Sequence, residues 1–163
     1  RHSDRVSAVA ERVARRLGRD AGRAAALAEV ALLKDAGRVG VPRGLDLSPG
    51  PLERADRELM RAHAEIGARM VAHALPPDQV AWVRAHHERW DGAGYPDGLA
   101  GEAIPEGARI LAAADAWVAL ISARPHRPAL TAAEALAELD AHAGTQLWPA
   151  AVAALRETEA GTP

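Results

Sequence analysis

Cysteine is absent from the 163 residues, so disulfides and thiolate metal sites are excluded. Histidine and carboxylate are left as the only strong metal ligands. Phenylalanine is absent too, and the aromatic residues are four tryptophans and a single tyrosine. A chain this poor in large rings and rich in Ala, Leu, Arg and Glu favours helices packed closely through small side chains. The formal net charge is only −2, which gives no global pull towards DNA or anionic lipid, and no DNA binding by this domain is expected. No run of about 18 apolar residues occurs and no signal peptide is legible, so no membrane segment and a cytoplasmic location are expected. The chain opens at Arg1 without a methionine. One domain over 1–163 is expected, as a fragment of a longer protein lacking its N-terminal part.

What is present is helical periodicity. Val6, Val9, Val13 and Leu17 form one stripe over about 4–17, and Gly18 stops it. A second helix over about 23–36 carries Leu27, Val30 and Leu33, with Lys34–Asp35 near its end, before Gly37 and Gly40 and a Pro/Gly-rich loop. A third helix is predicted over about 52–73, with Leu59, Ile66 and Met70 on its buried side and His63 in mid-length. Pro76–Pro77 introduce a fourth that ends in His86–His87. Ile104–Pro105 introduce a fifth, on which Asp115 lies among apolar neighbours. Thr131 with Glu134 reads as a capping box for a sixth, and Pro149 starts a short seventh. No strand-like alternation of five residues or more competes. The predicted class is all-α, a bundle of about six to seven helices.

Chemistry concentrates in H-H-E-R-W-D-G-A-G-Y-P-D-G, His86 to Gly98. Consecutive helical residues point about 100° apart, so His86 and His87 can both face a pocket beside the axis. The glycines after them let backbone approach a substrate closely. His2, Asp35, His63, His86, His87 and Asp115 are the candidate ligands, and convergence of such residues from several helices is how bundle cores build metal centres. A carboxylate such as Asp115, set among apolar neighbours, requires a cationic partner. The same residues also admit a purely structural reading, in which Asp115 pairs with Arg109 or Arg124 and the histidines pack. His73, His126 and His142 read as surface or packing residues.

Several segments together resemble the HD-GYP family. They are L-K-D-A-G-R-V-G-V-P (Leu33 to Pro42), P-G-P-L (Pro49 to Leu52), R-A-H-A-E-I-G-A-R-M (Arg61 to Met70) and the His86 to Gly98 run. I-P-E-G-A-R-I-L-A-A-A-D (Ile104 to Asp115), R-P-H-R-P-A-L (Arg124 to Leu130) and G-T-Q-L-W-P (Gly144 to Pro149) continue the match in the family's order. The resemblance implies an HD-domain bundle with a five-helix core, a two- or three-metal centre, and a bacterial signalling role. It implies hydrolysis of cyclic di-GMP, or a related cyclic dinucleotide, by a metal-activated hydroxide. Position by position, His2 and Asp115 match ligands of a first metal, and His63, His86 and His87 match ligands of a second. Asp35 matches the bridging aspartate. Arg38 stands where the family usually has a phosphate-facing lysine, and Tyr95, Arg124 and Arg127 match residues that hold the dinucleotide.

The chain departs from the pattern at one decisive position: the histidine of the HD pair is Lys34. A protonated lysine has no lone pair and cannot ligate a metal. Lys34, Asp35 and Arg38 are the candidate catalytic residues. One divalent transition metal ion (Fe, Mn, Zn or Ni) is expected rather than two. A glutamate that serves a third metal in some members would lie before Arg1, and a second aspartate often found after the last ligand is Val118. Two functions follow: a phosphodiesterase impaired at its first metal site, or an inactive regulatory module that binds cyclic di-GMP or a protein partner.

Overall fold

The computed structural model describes residues 2–42, 53–123 and 128–159, and among them all regular structure is helical. Eight α-helices follow in order: α1 (His2–Arg16), α2 (Ala21–Leu33), α3 (Arg54–Arg61), α4 (His63–Val71), α5 (Pro77–Ala85), α6 (Glu106–Leu120), α7 (Ala132–His142) and α8 (Pro149–Glu159). Short 3-10 turns span Ala36–Gly40 and Gly101–Ala103. Local chemistry sets several boundaries. Gly18, at φ +78°, ends α1, and Asp20 caps α2 by accepting from the Arg23 amide at 2.8 Å. The capping box is formed as expected: Thr131 Oγ1 accepts from the Glu134 amide, and Glu134 accepts from the Thr131 amide.

α6 is the centre of the bundle. Ile110, Leu111, Ala113, Ala114, Trp117 and Val118 are buried along it, and α1, α2, α5, α7 and α8 all pack against it. α1 in turn lies between α2 and α6, burying Val6, Val9, Ala10, Val13 and Ala14. This continuous core supplies the favourable term of folding. No helix among the described residues is long and apolar enough to cross a membrane.

Two expectations about the third helix are corrected. A single helix over about 52–73 is interrupted at Ala62, giving α3 and α4. Leu59 and Met70, placed on the buried side by periodicity, are 46% and 50% exposed. Their place is taken by small residues, because Ala64, Gly67 and Ala68 face inward. The cause is a backbone-to-backbone contact. A Cβ on Gly37 would stand 2.0 Å from the His63 carbonyl oxygen and 2.4 Å from the Gly67 nitrogen. Only glycine lets the turn after α2 press against α4 this closely, and that contact brings Asp35 next to His63.

Candidate metal and phosphodiester site

Four ligand atoms, one each from Asp35, His63, His86 and His87, lie within 4.8 Å of one another. They come from the turn after α2, the start of α4 and the end of α5. Two of the imidazoles are oriented by main chain. His63 Nδ1 lies 2.5 Å from the Met60 carbonyl oxygen, and His86 Nδ1 lies 2.6 Å from that of Val83. A carbonyl only accepts, so each Nδ1 carries the proton and each Nε2 presents a lone pair. His86 Nε2 is fully buried and has no hydrogen-bond partner. His63 Nε2 lies 3.1 Å from His87 Nε2 and 3.6 Å from Asp35 Oδ1. Burial, with Lys34 beside it, lowers the His86 pKa to about 4. Burial and the neighbouring His86 and His63 lower that of His87 to about 2. Both rings are therefore neutral at pH 7, the form that binds metal.

An orphaned buried nitrogen, two rings fixed with Nε2 inward and an adjacent carboxylate fit a divalent cation held by nitrogen and oxygen donors. His63, His86, His87 and Asp35 are the residues that would hold it.

The remaining sequence-derived ligands converge elsewhere. His2 Nε2 is 3.1 Å from Asp115 Oδ1, and Asp115 Oδ1 is 2.8 Å from Lys34 Nζ. Lys34 Nζ also donates to Asp35 Oδ2. The lysine is 2% exposed, yet its pKa is raised: burial opposes the charge most strongly, and Asp115 and Asp35 together outweigh it. The two carboxylates thus favour the charged ammonium over the free amine that could bind a metal. Burial would raise both carboxyl groups, but Asp35 is held below the usual range by Lys34, and Asp115 well below it by His2 and Lys34. The partner of Asp115 is thus Lys34 with His2, and the pairing with Arg109 is replaced. The Arg109 guanidinium sits instead near Trp148 and Trp90, 4.4 Å and 5.8 Å from their ring centroids.

Around this centre, Arg38 stands half exposed with Nε 3.6 Å from Asp35 Oδ1. Tyr95 stacks on the His87 ring at 4.8 Å with 21° between planes. Burial pushes its phenol up to about 12, so it keeps its proton. Arg124 and Arg127, and His126 between them, lie outside the described residues, as does Pro49 to Leu52 of the matched motifs. His142 faces Glu138 at the surface, and His73 is exposed.

Two residues were not singled out from sequence. Glu88 is buried and its carboxylate accepts from the Asp97 and Leu99 amides at 2.7 and 3.1 Å, tying the glycine-rich loop back on itself. A Cβ on Gly94 would meet the Arg89 nitrogen at 2.3 Å, so this loop folds tightly over the end of α5. The other is Arg61, whose guanidinium lies 5.0 Å over the Tyr95 ring. Glu88 sits inside the matched motif, and its position after the histidines was the available signal. Arg61 opens the matched R-A-H-A-E-I-G-A-R-M segment two residues before His63, but nothing in that spacing showed that it would meet Tyr95.

A family model described as HD domain matches residues 1–150, and the chain belongs to this family. Its G-Y-P loop and matched motifs are those of the HD-GYP group. The chain is 42% identical over 155 residues to the cyclic di-GMP phosphodiesterase response regulator RpfG of Xanthomonas campestris pv. campestris, covering 93% of this chain and 41% of the relative. It is 34% identical over 157 residues to the 3'3'-cGAMP-specific phosphodiesterase 3 of Vibrio cholerae, covering 96% of this chain and 34% of the relative. Among solved structures, Bd1817, described as an HDG"Y"P protein from Bdellovibrio bacteriovorus, superposes with TM-score 0.78 at 25% identity. That match covers 98% of this chain and 52% of the other. The chain spans less than half the length of these curated relatives.

Proposed function

We propose that this domain binds a cyclic dinucleotide at a centre holding one divalent ion, and hydrolyses it slowly as an impaired phosphodiesterase. The observation that carries this reading is the inward-facing set of Asp35, His63, His86 and His87 set directly beside the Lys34 ammonium. Similarity to phosphodiesterases for cyclic di-GMP and for 3'3'-cGAMP supports the substrate class. The ion, which we take to be Fe, Mn, Zn or Ni, would supply Lewis acidity towards water and the phosphoryl oxygens. The same reading places the domain in the cytoplasm, within a longer signalling protein, as befits a relative named as a response regulator.

The chain's own residues do the rest. Lys34 balances the charge of Asp35 and Asp115 where a second cation would otherwise lie, and it leaves His2 bonded to Asp115. Arg38 offers a half-exposed guanidinium to a phosphate, and the protonated Tyr95 hydroxyl offers a hydrogen-bond donor. Lys34, Asp35, Asp115 and Tyr95 are all held far from neutrality, so none of the four exchanges a proton readily at pH 7. A fixed ammonium cannot replace an ion that touches the reacting oxygens. One electrostatic contact of that kind is worth about 2.7–4 kcal/mol, or about two to three decades in rate at 1.36 kcal/mol per decade.

A second reading, a module that binds the dinucleotide or a protein partner without hydrolysis, is favoured by the raised Lys34 pKa, which keeps that position cationic. The two are separated by incubating Mn-loaded or Fe-loaded protein with cyclic di-GMP and with 3'3'-cGAMP, and following products by chromatography. Slow, metal-dependent release of linear dinucleotide supports the first reading. Binding by calorimetry without turnover supports the second, and absence of both binding and turnover refutes every reading that involves a cyclic dinucleotide and leaves only the protein partner.

A further inference from the structure

We propose that Arg61 is a substrate-binding residue of this centre, holding a phosphate of the dinucleotide with the edge of its guanidinium. The proposal rests on the cyclic-dinucleotide reading above. Its basis is a column of two stacked rings, the His87 imidazole and the Tyr95 ring 4.8 Å from it, with the central carbon of the Arg61 guanidinium over the Tyr95 ring, 5.0 Å from its centroid. Arg61 is thus tied to the metal-ligand set twice. It ends α3 two residues before His63, and it lies on a ring that itself lies on His87.

The chemistry of such an arginine is specific. A guanidinium held by one face on an aromatic ring keeps its N–H edge free, and that planar fork matches two oxygens of a phosphate. Arg61 is exposed, and among the described residues no carboxylate pairs with it. α3 buries none of its side chains, so core packing does not explain the residue. A cleft of about 430 Å³ opens beside it, lined by Arg54, Arg57, Glu58 and Arg61. Glu58 is engaged by Arg54, 3.2 Å away, which leaves the cleft a surplus of positive charge next to the ring column. A cyclic dinucleotide carries two phosphodiesters. With one at the metal, the other needs a cationic fork nearby, and Arg61 is placed to supply it.

The test compares wild type, Arg61→Ala and Arg61→Lys, with Arg69→Ala as a control for loss of a surface arginine paired with Glu65. Metal content is measured first, then binding of cyclic di-GMP by calorimetry on Mn-loaded protein. Arg61→Ala is expected to weaken binding about 10- to 100-fold, the worth of a charge-assisted hydrogen bond. Metal content is expected to stay at the wild-type value. Arg61→Lys, which keeps the charge but loses the fork, is expected to fall between the two, and Arg69→Ala to match wild type. Binding by Arg61→Ala within twofold of wild type overturns the assignment while leaving the dinucleotide reading intact. So does loss of metal from Arg61→Ala, which would make the residue a structural support of Tyr95 and His87. If the wild type itself binds neither cyclic di-GMP nor 3'3'-cGAMP, the underlying reading fails and the role of Arg61 with it.

Discussion

Replacing Lys34 by methionine keeps an unbranched stem and removes only the ammonium, so it isolates the charge that Lys34 brings to Asp35 and Asp115. Removing one partner of a buried ion pair costs about 3–5 kcal/mol, because the other charge is left without compensation. Lys34 is 2% exposed, but the Asp35 and Asp115 side chains are 26% and 28% exposed, so water reaches them and the lower end applies. A loss of about 3 kcal/mol, at about 2–4 °C per kcal/mol for a domain of this size, lowers Tm by about 6–12 °C. The measurement is a circular-dichroism melt of the metal-free protein in chelator. The pH dependence has a definite sign. Lys34 is raised, so its contribution is complete below about pH 10 and is lost as pH rises through its folded value. Asp35 and Asp115 are lowered, so theirs is complete above about pH 4 and is lost as pH falls through their folded values. The gap between wild type and Lys34→Met is therefore widest between those limits and closes in acid. A variant that melts within about 2 °C of wild type at pH 7, or a gap that widens in acid, would refute the charge-balancing role.

Two further outcomes follow from the same geometry. His86→Ala removes the buried Nε2 that has no other partner, and metal affinity should fall by more than the roughly 10- to 100-fold typical of losing an outer support of a ligand; titration with a chromophoric chelator reads this, and unchanged affinity would place the ion elsewhere. Gly37→Ala drives a Cβ into the His63 carbonyl and the Gly67 nitrogen, which are backbone atoms and cannot rotate aside. It should cost at least about 2–3 kcal/mol and weaken metal retention as Asp35 moves off His63, measured by melting and by metal analysis of the purified variant.

Much of the centre was legible from sequence because its chemistry sits in short, dense stretches. The His86–His87 pair, Lys34 next to Asp35, and the Thr131–Glu134 box each depend on neighbours a few residues apart. Helical periodicity was sufficient for α1, α2 and α6, whose stripes are long and uninterrupted. It failed on the helix through His63, because there a backbone contact at Gly37 and Gly67 decides which face turns inward, and large apolar side chains lose to small ones. Two pairings were invisible for a related reason. Whether Asp115 meets Lys34 or Arg109, and whether Arg61 lies over Tyr95, depends on how α6 and α3 come to rest against the rest of the bundle. No spacing in the chain carries that information. Glu88 was in plain view within the motif, but its task of holding the Asp97 and Leu99 amides exists only once the loop has closed.

The most direct test of the centre is a count of ions. Protein refolded or purified without chelator, saturated with Mn or Zn and freed of excess, is analysed for metal per chain, alongside Lys34→His. One ion per wild-type chain is expected, rising towards two when the histidine is restored beside Asp35, Asp115 and His2. Two tightly held ions in the wild type would contradict the place given to the Lys34 ammonium.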